Sequence, residues 1–300
     1  MATGDEIKSI FWNIGKDLTD QKIFLVTEAI SSVNPDIFCI AEGSYSRQDC
    51  QRLVDLFSTH GYKTFYTPLF PDPQDIQVSY VIKRYGLKVF IKDTIVTKGP
   101  FEFTEQRENC RIIVLRIFFK YKQVTFIFFH NRSKEGETHD TLDQTDNIKA
   151  IYEMISVGKA VEEKERIIIM GDFNLNPWDR LLHHETHLNT SFFQSRNSIL
   201  QRSTGKCFYN PIIELLSKAT TVNLGGTHYS QGKGWGIFDF VLYDTRDFQL
   251  NFDIITEFAG GSKLLNASTT IKKDFLNQGL DHLPIATTIT KLISEYEQYK

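Results

Sequence analysis

Short apolar runs rich in Ile, Val and Phe recur along the chain with polar segments between them, and several of those segments carry apolar residues at helical spacing. This alternation predicts an α/β domain. Strands are expected at 7–14, 36–41, 61–66, 78–83, 111–118, 124–130, 166–171, 236–243 and 284–293, and helices at 20–33, 47–60, 139–158 and 211–218. The runs 111–118 and 124–129 are separated only by the polar segment 119–123. That spacing suits a hairpin and not a crossover, which argues against a purely parallel, doubly wound sheet. No internal repeat, Pro- or Ser-rich linker or charged tail interrupts the pattern, so residues 1–300 are expected to form one domain. The least regular stretch, 179–234, is polar and rich in His, Ser and Gly, with one helical piece after Asn210. Irregular segments of that length are usually functional loops or insertions.

Composition narrows the class. With 41% hydrophobic residues and 24 Phe among 300 residues, a sizeable core is available and disorder is excluded. Lys and Arg number 34 against 37 Asp and Glu, a net charge of -3. The chain therefore lacks the global basic field of proteins that bind nucleic acid non-specifically, and a polyanion would have to bind through a local patch or a metal. Cys39, Cys50, Cys110 and Cys207 are far apart with no CxxC pair, and they read as reduced thiols. The start, MATGDEIKS, has neither the basic nor the apolar region of a secretory signal. The longest apolar stretch is broken by Arg116, Lys120 and Lys122, well short of a membrane span. A soluble, cytoplasmic protein is expected.

Residues capable of metal or proton chemistry recur at the ends of the expected strands. Asn13 follows IFW, Glu42 follows PDIFCIA, His130 follows VTFIFF, Asp172 and Asn174 follow RIIIMG, Asp239 lies within WGIFDFVLY, and Asp281 and His282 precede LPIATTI. A carboxylate at the rim of a sheet is partly buried and needs a metal, a cation or hydrogen bonds. Six such positions imply a common site. Oxygen ligands without thiolates select a hard cation such as Mg²⁺ or Mn²⁺. A His with a carboxylate supplies a general base and the group that orients it. The set suits phosphoryl transfer to water.

The order WN, PDI…E, H, GDFN, a late Asp in a strand and a terminal DH.P resembles the endonuclease/exonuclease/phosphatase superfamily, over residues 12–289. The resemblance implies an α/β fold in which a two-layer β-sandwich of mixed sheets is flanked by helices, an α/β/β/α arrangement of deoxyribonuclease type. It also implies metal-dependent hydrolysis of a phosphoric ester without a covalent intermediate. By the same resemblance, Glu42 would be a direct metal ligand paired with Asn13, and Asp281 would assist on the metal side. His282 would activate the attacking water with Asp239 orienting it, Asp172 and Asn174 would position the nucleophile and donate to the phosphate, and His130 would contact the phosphate. Arg111 or Arg107 resembles an arginine that some members place before the central strand. The family's usual glutamine before the metal-binding Glu is Ala41 here, and Leu280 stands where a serine is common before Asp281.

Each residue also has a plainer reading. Asn13 would suit the turn to Gly15, Glu42 a solvated loop, and Asp172 with Asn174 an Asx turn. Asp239 is harder to explain so, because Ile237, Phe238, Phe240 and Val241 surround it and the acid needs a partner; His282 is the obvious one. The cluster His183, His184 and His187 has HExH spacing, not the HExxH that aligns two imidazoles on a helix, and is expected at the surface. Phe192, Phe193, Phe208, Tyr209 and Trp235 are expected mainly as packing and not as a substrate groove. Arg132 and Lys134 are placed to meet a phosphate. The expected substrate is nucleic acid, specifically DNA. The alternatives are a phosphatase or phosphodiesterase acting on an inositol phosphate or sphingomyelin headgroup, favoured by the pI of about 6.3, and a catalytically silent interaction domain.

Overall fold

The computed structural model describes residues 6–15, 17–43, 46–66, 86–95, 111–119, 122–131, 140–156, 166–184, 187–193, 207–218, 226–230, 234–244, 248–259, 264 and 279–291. The first apolar run forms β1 (Glu6–Asn13), and α1 (Asp20–Val33) carries the chain across to β2 (Ile37–Ala41), which pairs with β1 in parallel. Parallel neighbours need such a crossover. Thr19 caps α1 by accepting from the Lys22 amide, and Asn34 ends the helix at a left-handed φ of 50°. After α2 (Arg47–Thr59) come β3 (Tyr62–Tyr66) and β4 (Leu87–Lys92), both antiparallel additions. The middle of the chain supplies the expected hairpin, β5 (Ile112–Phe119) and β6 (Lys122–His130). A second crossover through α3 (Asp140–Ser156) leads to β7 (Arg166–Asp172), parallel to β6.

The irregular stretch contributes small elements: α4 (Arg180–His183), β8 (Thr190–Ser191), β9 (Phe208–Tyr209), α5 (Ile212–Lys218) and the two short strands β10 (His228–Ser230) and β11 (Gly234–Gly236). The chain closes with β12 (Asp239–Tyr243), β13 (Phe248–Ile254) and β14 (Ile285–Lys291). Two mixed six-stranded sheets result, ordered β13-β14-β1-β2-β4-β3 and β5-β6-β7-β12-β9-β8. This is the α/β sandwich that the family resemblance implied.

The sheets pack face to face through Phe11, Cys39 and Val89 on one side, where Ser9 also meets Met170, and Leu115, Phe126, Phe128, Ile168 and Met170 on the other, in one continuous core. The alternate residues Val114, Ile127, Phe129, Ile167 and Ile169 turn outward beneath Ile148 and Ile151 of α3, Leu182 of α4 and Ile212 of α5. Both faces of β6 and β7 are therefore dry, which is why these strands read as unbroken apolar runs. On the far face of the other sheet, Leu53 and Phe57 of α2 are buried, and Phe57 stacks on Phe90 at 3.9 Å.

Three expectations need correction. The single strand at 236–243 is two, β11 and β12, parted at Ile237 and Phe238, so Asp239 opens its strand instead of lying within it. Strand β4 went unrecognised because Lys88 interrupts its apolar run; the side chain is fully buried and its ammonium donates to the carbonyls of Glu42 and Gly86. Strand β13 alternates polar and apolar residues beside β14 at the sheet edge. The expected strand at 78–83 lies outside the described residues.

Candidate active site

Strand pairing gathers the chemistry at one rim. In the parallel pair β1–β2, Asn13 lies opposite Ala41, so Glu42 follows at the same end. In β6–β7, His130 lies opposite Asp172. Antiparallel pairing sets Asp239 across from Asp172, and the register Phe11↔Ile285 brings the residues before β14 to the end of β1. The polar residues at these strand ends converge because of topology, and side-chain contacts then join them.

Asp172 is the hub. Its Oδ2 accepts from Asn13 Nδ2 at 3.2 Å and its Oδ1 accepts from the Asn174 amide at 2.9 Å. The same carboxylate lies 3.7 Å from Nε2 of His130 and 3.7 Å from Nε2 of His282. Beyond it, His130 Nε2 is 3.6 Å from Glu42 Oε1, and His282 Nδ1 donates to Asp239 Oδ2 at 2.8 Å. The described contacts thus run Glu42–His130–Asp172–His282–Asp239. Four of the five are buried, and Glu42 is partly exposed.

The local backbone is specialised to build this rim. Gly171 lies so close to β6 that a Cβ would fall 1.8 Å from the Phe129 carbonyl oxygen, so the residue before Asp172 must be glycine. Glu42 and Asn174 both hold left-handed φ angles, 58° and 48°, which cost an L-residue about 1–2 kcal/mol. Asn174 Nδ2 donates to the Asn131 carbonyl at 2.9 Å, fixing its side chain. Thr227 Oγ1 accepts from the amides of Phe238 and Asp239 and so holds the opening of β12. Trp12 Nε1 donates to the His282 carbonyl at 3.0 Å, fixing the backbone of the base.

Burial pushes the Asp172 carboxyl up to about 8, against the neighbouring His282 imidazolium and with the help of the Asp239 charge. Burial alone would pull His282 down, but Asp239, Asp172 and Asp281 together outweigh it and hold its imidazole well above the ordinary value. Both groups are thus biased toward their protonated forms in the metal-free site.

A hard divalent cation fits the donor set at the β1–β2–β14 corner. Asp281 Oδ1 is buried with no hydrogen-bond partner, the situation a cation relieves. Glu42, Asn13 and Asp281 would hold the ion. Lys22 of α1 also reaches this corner, 2% exposed, with its Nζ 3.4 Å from where a Gly15 Cβ would stand. Burial lowers its basicity, while Asp281, Asp17 and Glu42 oppose that.

Of the remaining expected residues, Arg111 is fully buried just before β5, and its carbonyl accepts from the His130 amide at 2.9 Å. Arg107, Arg132 and Lys134 lie outside the described residues. The triple-histidine cluster is no metal site: His183 Nε2 donates to the Pro177 carbonyl at 2.8 Å, and Nδ1 meets Thr190. This histidine braces a turn and is only partly at the surface. Phe208 and Tyr209 are core, whereas Trp178 and Phe193 are more than half exposed. The sequence reading missed Thr227, Asn131, Lys22 and His228; the last packs its ring 4.4 Å from that of His282. The run GGTHYS, with a Thr and a His after two glycines, was the available signal.

Residues 10–253 match the family model described as Endonuclease/Exonuclease/phosphatase family. No curated protein matches the sequence significantly. Among solved structures, D. rerio TDP2 complexed with a single-strand DNA product superposes with a TM-score of 0.59 at 13% identity, covering 96% of this chain and 100% of that one. The human Nocturnin catalytic domain with bound sulfate gives 0.58 at 16% identity over 96% and 95%. An AP endonuclease from Archaeoglobus fulgidus gives 0.54 at 14% identity over 94% and 99%. At these identities the likeness is one of fold.

Proposed function

This chain belongs to the endonuclease/exonuclease/phosphatase family, and on that footing we propose that it is a nuclease that hydrolyses phosphodiester bonds of DNA with a divalent cation, Mg²⁺ or Mn²⁺. The observation that carries the reading is the buried Asp239–His282 bond at 2.8 Å, with Asp172 3.7 Å from the opposite nitrogen. Asp239 accepts the Nδ1 proton, so Nε2 presents its lone pair toward the rim and takes the proton of the attacking water. The imidazolium that forms is stabilised by Asp239 on one side and Asp172 on the other. Asn174, held by its bond to Asn131, and His130, between Glu42 and Asp172, are placed to donate to the phosphate. A cation held by Glu42, Asn13 and Asp281 would supply positive charge to the phosphoryl and leaving oxygens. Water attacks directly, and the chain forms no covalent intermediate.

Likeness in fold to a TDP2 carrying a single-strand DNA product supports DNA as the substrate and nucleic acid as the partner. The second reading is a small-molecule or lipid-headgroup phosphodiesterase, for which the net charge of -3 speaks. Cys39, Cys50 and Cys207 are buried, and the wide spacing of the cysteines along the sequence suits a reducing, cytoplasmic setting. No helix among the described residues is long and apolar enough to cross a membrane. Assaying single- and double-stranded DNA, RNA, inositol phosphates and sphingomyelin with Mg²⁺, Mn²⁺ and EDTA tests the proposal: cation-dependent cleavage of DNA is expected, and turnover of only the small esters would replace the substrate.

A further inference from the structure

Beside the base, the chain builds a pair of histidines. Residues 227–229 lie antiparallel to 281–283: the Tyr229 amide donates to the Asp281 carbonyl at 2.8 Å and the Leu283 amide to the Thr227 carbonyl at 2.8 Å. These bonds flank the pair His228↔His282, which is therefore a non-hydrogen-bonded pair, the kind in which two side chains on the same face approach most closely. The rings are 4.4 Å apart and inclined by 49°. Asp281 adds a carboxylate whose Oδ1 is buried without a hydrogen-bond partner. One ligand atom from each of His228, Asp281 and His282 lies within 4.8 Å of the others.

We propose that His228, Asp281 and His282 form a binding site for a borderline transition-metal ion, Zn²⁺ in the first instance, whose occupation switches the enzyme off. Two imidazoles and one carboxylate are the donor set that zinc takes at about 2.0–2.2 Å, with the fourth position left to water. Ligands around such an ion stand roughly 3.3 Å apart by tetrahedral geometry at that bond length, so side-chain rotations of an ångström or so complete the site. The same set holds Mg²⁺ poorly, because two of three donors are nitrogens and Mg²⁺ prefers oxygen and water in an octahedron. The scaffold is rigid where it matters: Thr227 holds the Asp239 amide, Trp12 holds the His282 carbonyl, and the His228 ring also packs 5.1 Å from that of Phe238.

The inhibitory effect follows from the shared residue and rests on the catalytic reading above. Asp239 already holds Nδ1 of His282, so the ion takes Nε2 or displaces the Asp239 bond. Either way the imidazole can no longer accept a proton from water. Sharing Asp281 also sets zinc against the catalytic cation. His228 itself has no part in the proposed hydrolysis.

The test has a binding arm and an activity arm. Metal-free protein is titrated with Zn²⁺ by calorimetry and with Co²⁺ by visible absorption, both in saturating Mg²⁺, for the wild type and for His228→Phe, which keeps an aromatic ring against Phe238. One ion per chain and intense tetrahedral Co²⁺ bands are expected for the wild type, with affinity for both metals lowered about 100-fold or more in the variant, since removing an outer-shell partner alone costs 10–100-fold. In the cleavage assay, His228→Phe should match the wild type without zinc and need correspondingly more Zn²⁺ for half-inhibition. Equal zinc affinity in the two proteins, or octahedral cobalt spectra, overturns the site. Failure of the hydrolase reading alone would leave the binding arm intact. Tight binding through His228 without inhibition would overturn the switch.

Discussion

Replacing Asp239 by Asn keeps the shape of the side chain and removes its charge. The Thr227 hydroxyl still holds the residue's amide, so the opening of β12 survives. What is lost is a charge-assisted hydrogen bond of 2.8 Å between two groups exposed by no more than 5%. Such a bond contributes about 1.5–3 kcal/mol in general, and the imidazolium of the transition state also loses its buried counter-charge. Together these should lower kcat by about 10²–10⁴, the range for disabling a general base. The pH profile supplies a second readout. His282 must be neutral to accept a proton, so activity rises with pH through its pKa, which Asp239 and Asp172 hold above the ordinary value. With Asp239 neutralised, the imidazole gives up its proton more easily and the acid limb moves to lower pH while the plateau falls. Steady-state cleavage of a labelled oligonucleotide from acid to alkaline pH measures both. A plateau within about threefold of the wild type, set against that expected loss, or a limb displaced to higher pH, would refute the assignment of Asp239 as the orienting group.

Three further outcomes follow from the same geometry. Asp172 binds its proton more tightly in the fold, at about 8 against 3.8, so the native state holds a proton that the unfolded chain has lost; stability of metal-free protein should fall as pH rises between those values, and Asp172→Asn should flatten that slope up to the pH near 6.5 where the unfolded chain's His282 loses its proton, as followed by urea unfolding in EDTA. At the left-handed Glu42, both Glu42→Gly and Glu42→Ala should abolish cation-dependent turnover, yet the glycine variant should unfold at a free energy about 1 kcal/mol above that of the alanine variant, and equal stabilities would contradict the backbone argument. If the substrate is a polynucleotide, the apparent KM for duplex DNA should rise steeply with salt as counterions are released; a flat profile would favour the small phosphate ester.

The rim residues were legible because each follows a run that could only be a buried strand, and parallel pairing then places such ends side by side. The Asp239–His282 partnership was legible for a related reason: an acid among Ile237, Phe238, Phe240 and Val241 needs a cation or a donor, and few were on offer. The break before Asp239 was not, because its flanks are as apolar as a strand interior. Lys88 hid β4, since a charge at the centre of a short run reads as exposure, and only the carbonyls of Glu42 and Gly86 explain its burial. Thr227 and His228 sit on or beside a strand of three residues, too short to show any period, and their importance comes from tertiary contacts: the Thr227 hydroxyl on the Phe238 and Asp239 amides, and the His228 ring against that of His282. Lys22 looked like one more polar residue of an amphipathic helix. Its end runs close past Gly15 and Gly279, both at left-handed φ angles, toward Asp281.

The central claim is that a water molecule activated at His282 attacks a phosphodiester directly, with a divalent cation in the site. Single-turnover cleavage of an oligonucleotide in water enriched in heavy oxygen tests it most directly, with wild type and His282→Ala compared in Mg²⁺ and in EDTA. The account predicts one labelled oxygen in each newly formed phosphate end, produced only by the wild type and only with the cation. Cleavage that leaves the phosphate unlabelled, or that persists undiminished in EDTA or in His282→Ala, would contradict it.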